Sequence, residues 1–485
     1  MSLIGLESAA NLAGGFNHSF SLSAVSLKQA LLSPERASWE AAIEREIKAI
    51  KDRDCYEMVK ISSLPSDVKL LNSMIILSEK PTLPISDPLH YKARFVVKGC
   101  GQVYGKHYDE VWAPTMTVES LNLLIFIAVQ KKVEIYHYDV CTAFLNSKLQ
   151  ETNIYVKPPT ELATPGHVMH LLKAIYGLKQ AGRAWYLEVV KVFQRCGLTQ
   201  SRADPCIFSL PPSGSRFGSI GIHVDDFLVV CDPNTRAALF SKLSKVWKMK
   251  NLGPVTHALG ITFNLTSEGG YLLTQTDYID EMLRRFGFED CHTSPSPSSP
   301  GQQREGAGKP SVLSSFPANE ITGSLLWATK THPEIAYAVV KLCQQVAKPT
   351  PGFFRAAGRV LRWLKGVRCH GILFVYVLGP KLLLWVDADH AGDGDDRKSQ
   401  TGILLRFGKC IIYFGSRKQG TRAGSSTEAE VIAIHSGLLK LLYVLNLISS
   451  ISLRSLVSIS SSPSLFRRII LLLSPCHPLS SLERG

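Results

Sequence analysis

No Cys-x-x-Cys pair occurs in this chain; its 11 cysteines are scattered singly. That excludes a structural zinc site of the usual spacing, argues against a disulfide scaffold, and suits a reducing, intracellular setting. No lysine or arginine precedes Lys28, and the N-terminal stretch lacks a compact apolar core, which excludes a secretory signal. A run of about 18 apolar residues free of charge is also missing, so no membrane span is expected; Leu438 to Ile448 is apolar but short and contains Lys440. Acidic residues are the scarcer sign: 40 Asp and Glu against 54 Lys and Arg leave a net charge of +14. An excess of that size suits a polyanionic partner, most simply nucleic acid; the plainer alternative is a solvated basic surface. Between Glu430 and the C-terminus there is no aspartate, and Glu483 is the only glutamate.

What is present begins with Ile222-His223-Val224-Asp225-Asp226-Phe227-Leu228-Val229-Val230, two adjacent aspartates inside an apolar, strand-like run. Carboxylates about 4 Å apart repel by roughly 4 kcal/mol at an effective dielectric near 20. A hard divalent cation such as magnesium offsets that cost; a solvated hairpin tip is the alternative. Asp139 supplies a third carboxylate, at the end of the partly alternating run Val133 to Tyr138.

These residues carry a resemblance. Asp139 to Asn146, followed by Ile154-Tyr155-Val156-Lys157-Pro158-Pro159, resembles the first catalytic motif of copia-type retrotransposon reverse transcriptases, and His223-Val224-Asp225-Asp226 resembles their Tyr-Val-Asp-Asp motif. Ala174 to Tyr186 resembles the template- and nucleotide-binding motif, and Tyr91 to Gly99 the basic fingers motif. Met249 to Gly253 and Leu259-Gly260-Ile261 resemble the segments that grip the primer. The motifs keep the family order over about residues 39 to 430.

The resemblance implies an α+β protein: a right-hand polymerase with fingers and palm, then a connection region and a truncated α/β ribonuclease H-like domain. It implies an RNA-directed DNA polymerase acting on an RNA/DNA primer–template and deoxynucleoside triphosphates. Two magnesium ions, with manganese as a substitute, would be held by Asp139 and Asp225, with Asp226 in support because alternate strand residues face opposite ways. Arg94, and less directly Lys98, would meet phosphates. The backbone of Val140, Cys141, Thr142 and Ala143 would hold the triphosphate. Phe144 stands where related polymerases carry an aromatic sugar gate, or is simply core. Gln180 would pack on the incoming base pair. Two departures are His223 for the family tyrosine and Gly182 for a proline.

Downstream, Val386-Asp387-Ala388-Asp389 and Ser425 to Glu430 resemble the ribonuclease H domain of the same elements, with Asp387 and Glu430 matching its first two metal ligands. The later acidic ligands are missing, so nuclease activity is not expected.

The expected layout is a 1–37 N-terminal segment, fingers and palm over 38–292, a linker over 293–319, a connection over 320–380, the partial ribonuclease H-like domain over 381–445 and a Ser/Leu-rich tail over 446–485. The linker holds five prolines and seven serines in 27 residues. Residues 64–90 read as a damaged fingers hairpin. Arg355, Arg359 and Arg362 read as a basic helix face, either solvated or on a duplex. The expected setting is cytoplasmic, in a virus-like particle, or nuclear. Competing readings are a catalytically impaired remnant that only binds nucleic acid, and a decayed reading frame whose product does not fold.

Overall fold

The computed structural model describes residues 27–80, 90–150, 153–211, 216–298 and 312–451. The segment 1–26, the proline-rich stretch 81–89, residues 299–311 of the expected linker and the tail from 452 lie outside the described residues. After α1 (Leu27–Leu32) comes α2 (Arg36–Lys51), in which Trp39, Ala42, Ile43 and Ile50 recur at helical spacing and are buried. β1 (Tyr56–Lys60) is followed by β2 (Ser73–Lys80) and β3 (His90–Val97). β2 and β3 pair without a break from Ser73–Val97 to Lys80–His90. The two strands are thus regularly paired, which corrects the expected damage for 73–80 and 90–97. Alternation places Leu77 and Ala93 against Trp39 and leaves Lys92 and Arg94 on the opposite face.

Helix α3 (Val118–Lys131) is capped by the Thr117 side chain and buried on all sides, Glu119, Ser120, Asn122 and Gln130 included. β4 (Tyr136–Val140), β5 (Tyr155–Val156) and β6 (His167–Leu171) follow, then α4 (Ala181–Arg195), β7 (Thr199–Gln200), β8 (Ile207–Ser209), β9 (Gly218–His223), β10 (Asp226–Cys231), α5 (Pro233–Ser244) and β11 (Met249–Pro254). The palm sheet has six strands in the order β11-β4-β10-β9-β8-β7. It buries Tyr138, Val140 and Phe227 on one face. Fingers and palm meet where Gly99 and Gly177 cross: the Val97 N–H donates to the Tyr176 carbonyl at 2.8 Å. Gly177 has φ +89°, and a Cβ there would lie 2.1 Å from the Val97 carbonyl oxygen. Gly177→Ala is therefore expected to cost on the order of 3 kcal/mol, read as a lowered denaturant midpoint; an unchanged midpoint would show that this crossing tolerates displacement.

β12 (His257–Ala258), β13 (Ile261–Leu265) and β14 (Tyr271–Thr274) lead into α6 (Thr276–Arg285), α7 (Ala318–Ala328), α8 (Ala336–Cys343) and α9 (Pro351–Val367), and β15 (Ile372–Phe374) returns to pair with β14. α6 shares one core with α7, α8 and α9, through Ile279, Met282, Phe286, Leu325, Val339 and Leu361. The boundary expected at 293 thus falls inside a helical unit that starts near 276. On α9, Arg355, Arg359 and Arg362 are half-buried rather than solvated, and Arg359 donates to the Ser294 hydroxyl.

β16 (Leu382–Ala388), β17 (Gln400–Phe407) and β18 (Cys410–Lys418) form a three-stranded antiparallel sheet covered by α10 (Ser426–Ser450). α10 is capped at its head: Ser425 Oγ accepts from the Glu428 N–H, and Glu428 Oε2 accepts from the Gly424 N–H. At 25 residues α10 is long and apolar enough to cross a membrane, contrary to the short run expected. It packs on β16 and β17 and bonds to α3 through Lys440–Glu119 and Tyr443–Thr117.

Candidate active site

The palm strands bring the expected aspartates together. Asp139, near the end of β4, lies directly opposite Asp226, the first residue of β10. Directly opposed residues share a face, so Asp226 sits on the same side as Asp139. Asp225 occupies the two-residue turn between β9 and β10, made possible by Val224 at φ +59°. The Asp225 carbonyl accepts the Val140 N–H at 3.0 Å, tying the turn to the strand that carries Asp139. The turn is also held from outside, where Trp185 on α4 donates its indole N–H to the Val224 carbonyl at 2.6 Å.

Electrostatics single out Asp225. Burial, then the neighbouring Asp226 and Asp139, push its carboxyl up to about 6, and Lys92 opposes the shift. Asp226 has a partner of its own in His137 Nε2, at 2.7 Å. Among the described residues, no three His, Cys, Asp or Glu groups stand at metal-ligand spacing. Asp139 and Asp225 nevertheless form an undercompensated acidic site of hard oxygen donors, which fits a divalent cation.

The other expected residues divide. Arg94 lies beside the Tyr176 ring, 5.7 Å from its centroid, and Tyr176 is in turn coupled to Asp225. Lys98 is exposed beyond β3, and its backbone N–H is taken by Asn72. The N–H groups of Val140 and Cys141 are spent on the carbonyls of Asp225 and Lys248, a correction that leaves Thr142 and Ala143 of the expected cradle. Phe144 is half-buried between two cores and meets Tyr176 edge-on at 5.1 Å. Gln180 is buried: its oxygen accepts from Gln102 and its amide donates to the His107 carbonyl. It holds a loop, a correction to direct packing on a base pair. Lys92 was passed over in sequence. The signal was its i, i+2 spacing from Arg94, which puts both on one face of β3.

His223 is set beside this acid cluster. Burial and the nearby Lys330 lower its pKa, and its Nδ1 is buried without a partner. A tyrosine would place its hydroxyl beyond the ring instead of a nitrogen inside it. His223→Tyr is expected to raise primer extension several-fold with little change in binding; an unchanged rate in single-turnover kinetics would remove the positioning role of this side chain.

In the C-terminal sheet, Leu384 and Val386 are the β16 side chains that meet α10, at Gly437. Asp387 alternates to the exposed face, and Glu430 lies in the first turns of α10. Asp389 accepts from the Gln400 N–H. No interaction joins Asp387 to Glu430 among the described residues.

Residues 55–300 match the family model described as Reverse transcriptase (RNA-dependent DNA polymerase). The chain is 32% identical over 420 residues to the retrovirus-related Pol polyprotein from transposon TNT 1-94 of Nicotiana tabacum, covering 84% of this chain and 31% of that protein. It is 30% identical over 419 residues to the Pol polyprotein from transposon RE1 of Arabidopsis thaliana, covering 86% and 28%. A putative transposon Ty5-1 protein of Saccharomyces cerevisiae is 30% identical over 302 residues, 61% of this chain and 97% of its own length. The chain thus spans under a third of the first two relatives. Among solved structures, a foamy viral protease-reverse transcriptase in complex with double-stranded DNA aligns over 84% of this chain and 61% of its own, at TM-score 0.46 and 14% identity. The ordered motifs, the opposed palm aspartates and these matches place the chain in the reverse transcriptase (RNA-dependent DNA polymerase) family, in the branch found in Pol polyproteins of copia-type retrotransposons.

Proposed function

We propose that this chain is an RNA-directed DNA polymerase that extends a primer 3′-hydroxyl on an RNA template. The observation that carries the reading is the convergence of Asp139, Asp225 and Asp226 at one strand end and its turn, with the Asp225 carboxyl pushed up by burial and by its neighbours. Asp139 and Asp225 would hold two divalent cations, magnesium or manganese, with Asp226 in support. When bound, the ions supply charge neutralisation for the attacking and leaving oxygens.

The remaining chemistry belongs to the chain. In the reaction, the primer 3′-oxygen forms a bond to the α-phosphorus of a deoxynucleoside triphosphate. The bond to the β-phosphate oxygen breaks, pyrophosphate leaves and the hydroxyl proton passes to solvent. Lys92 and Arg94 face the triphosphate from the fingers, Arg94 with a planar fork suited to phosphate. The Thr142 and Ala143 N–H groups receive it from below, and the Phe144 ring excludes a 2′-hydroxyl. His137 holds the Asp226 carboxylate in place. The setting is intracellular.

The ribonuclease H-like unit is inactive: Asp387 stands on the exposed face of β16, and among the described residues Asp387 and Glu430 belong to no group of three His, Cys, Asp or Glu side chains at metal-ligand spacing. Magnesium-dependent extension of a DNA primer on RNA tests the polymerase reading, and the same reaction products report hybrid cleavage. Extension with an intact RNA strand is the expected result; Asp387-dependent cleavage would refute the inactive assignment. A binding-only remnant is the second reading, favoured by the His223 departure. Salt-sensitive primer–template binding without any extension selects it.

A further inference from the structure

We propose that the loop of residues 103–112 is a stacking platform for unpaired template bases. The inference rests on the polymerase reading and adds to it the path of the single strand. Tyr104 is 70% exposed and Trp112 is 62% exposed. Among the described residues they are the two most exposed aromatic side chains.

The loop is fixed rather than loose, which makes the exposure purposeful. At its base Gln102, His107 and Gln180 are buried. Gln102 Nε2 donates to Gln180 Oε1 at 2.9 Å, and Gln180 Nε2 donates to the His107 carbonyl at 2.9 Å. The Lys179 N–H reaches Gln102 Oε1 at 2.8 Å. The fold is thus held by polar groups underneath, and the rings above are not needed to hold it.

Cations are interleaved with the rings. The Lys179 ammonium lies 4.8 Å from the centroid of the Tyr108 ring and bonds its hydroxyl at 3.0 Å. Tyr104 meets Tyr108 edge-on at 5.9 Å. Arg183 donates to the Trp112 carbonyl at 3.3 Å and pairs with Glu110. Trp112 meets Tyr186 edge-on at 6.4 Å. Aromatic faces that take bases, beside cations that follow the backbone, are how single strands are bound without sequence preference. Paired bases present no free face, so a duplex would leave the rings unused.

The position fits. Trp185 points inward from α4 to the Val224 carbonyl of the aspartate turn. Arg183 and Tyr186, on the same helix, carry the loop. The platform and the aspartate turn are thus anchored on the same helix.

The test compares binding of the full chain to a blunt RNA/DNA primer–template and to the same duplex with a template overhang carrying 2-aminopurine. Wild type is expected to prefer the overhang and to quench the probe. Tyr104→Ala with Trp112→Ala should lose the preference by about tenfold or more per ring and lose the quenching, with blunt-end affinity unchanged as evidence of an intact fold. Tyr104→Phe with Trp112→Phe should retain both. An overhang preference that survives the alanine pair, or a wild type that extends primers without any such preference, overturns the platform and leaves the polymerase reading standing; the rings would then serve a protein partner. A wild type that binds neither substrate overturns both.

Discussion

Asp225→Asn will abolish primer extension and, at the same time, make the ligand-free protein more stable at pH 7.5. The two effects have one cause. In the folded protein the Asp225 carboxyl titrates at about 6, above its ordinary value of 3.8, because it is buried beside Asp226 and Asp139. A raised carboxyl pKa means that the folded state holds the proton more tightly than the unfolded chain. Ionisation of Asp225 therefore destabilises the fold. The penalty is absent below about pH 4, grows between pH 4 and 6, and is fully present above 6. Its size is about 2 kcal/mol once solvent screening is allowed for. An amide of the same shape carries no such penalty, so the variant gains that amount at pH 7.5 and nothing at pH 4.

Activity runs the other way. Loss of one of two principal carboxylates should slow nucleotidyl transfer by ~10³-fold or more, the scale of several kcal/mol of charge stabilisation. Added magnesium should stabilise wild type and leave Asp225→Asn unmoved. Thermal unfolding at several pH values, with and without magnesium, reads all three effects. A variant less stable than wild type at pH 7.5 would mean that the Asp225 carboxylate has a favourable partner in the folded protein, and the uncompensated-charge account would be lost.

The motifs were legible where the chemistry is local. Two aspartates in an apolar run, and a third at a strand end, are placed by short-range rules, and they meet. Legibility fell off where a role depends on register. Lys92 and Lys98 both lie in one basic motif, but only pairing with β2, which stops at Val97, shows that Lys92 is on the strand while Lys98 has left it. Gln180 reads as a substrate contact from its motif; its burial under Gln102 and the His107 carbonyl depends on residues more than 70 positions away. The cysteine and charge patterns say nothing of the helical unit, because α6 is separated from α7 by the Pro/Ser-rich stretch that looks like a boundary.

Removal of everything after Pro380 is expected to leave no folded polymerase at all, although the excised part carries no polymerase motif. The reason is α3. Its sequence reads as a buried helix, but the palm sheet covers only one side. The other side is covered in large part from the C-terminal unit, where Phe126 stacks on Phe407 at 4.7 Å and Asn122 donates to the Ile412 carbonyl; the segment after β15 adds the Val375 carbonyl, which accepts from Gln130. Lys440 on α10 neutralises the buried Glu119 carboxylate at 2.7 Å. Leu405, Phe407, Cys410, Ile412, Val444, Leu447 and Ile448 belong to the same core as the palm strands. Burying each large side chain contributes about 1.5–3 kcal/mol, so their joint loss exceeds a typical net stability of about 5–15 kcal/mol. A single change should already be felt. Phe407→Ala should cost about 3–5 kcal/mol, whereas Asp387→Asn, on the exposed face of β16, should cost nothing measurable. Circular dichroism melts of the truncated chain and of both point variants decide the matter. A truncated chain that melts cooperatively and extends primers like wild type would make the C-terminal unit a passenger. The opposite result would make the C-terminal unit part of the polymerase core, because its sheet and α10 cover the side of α3 that the palm sheet leaves open.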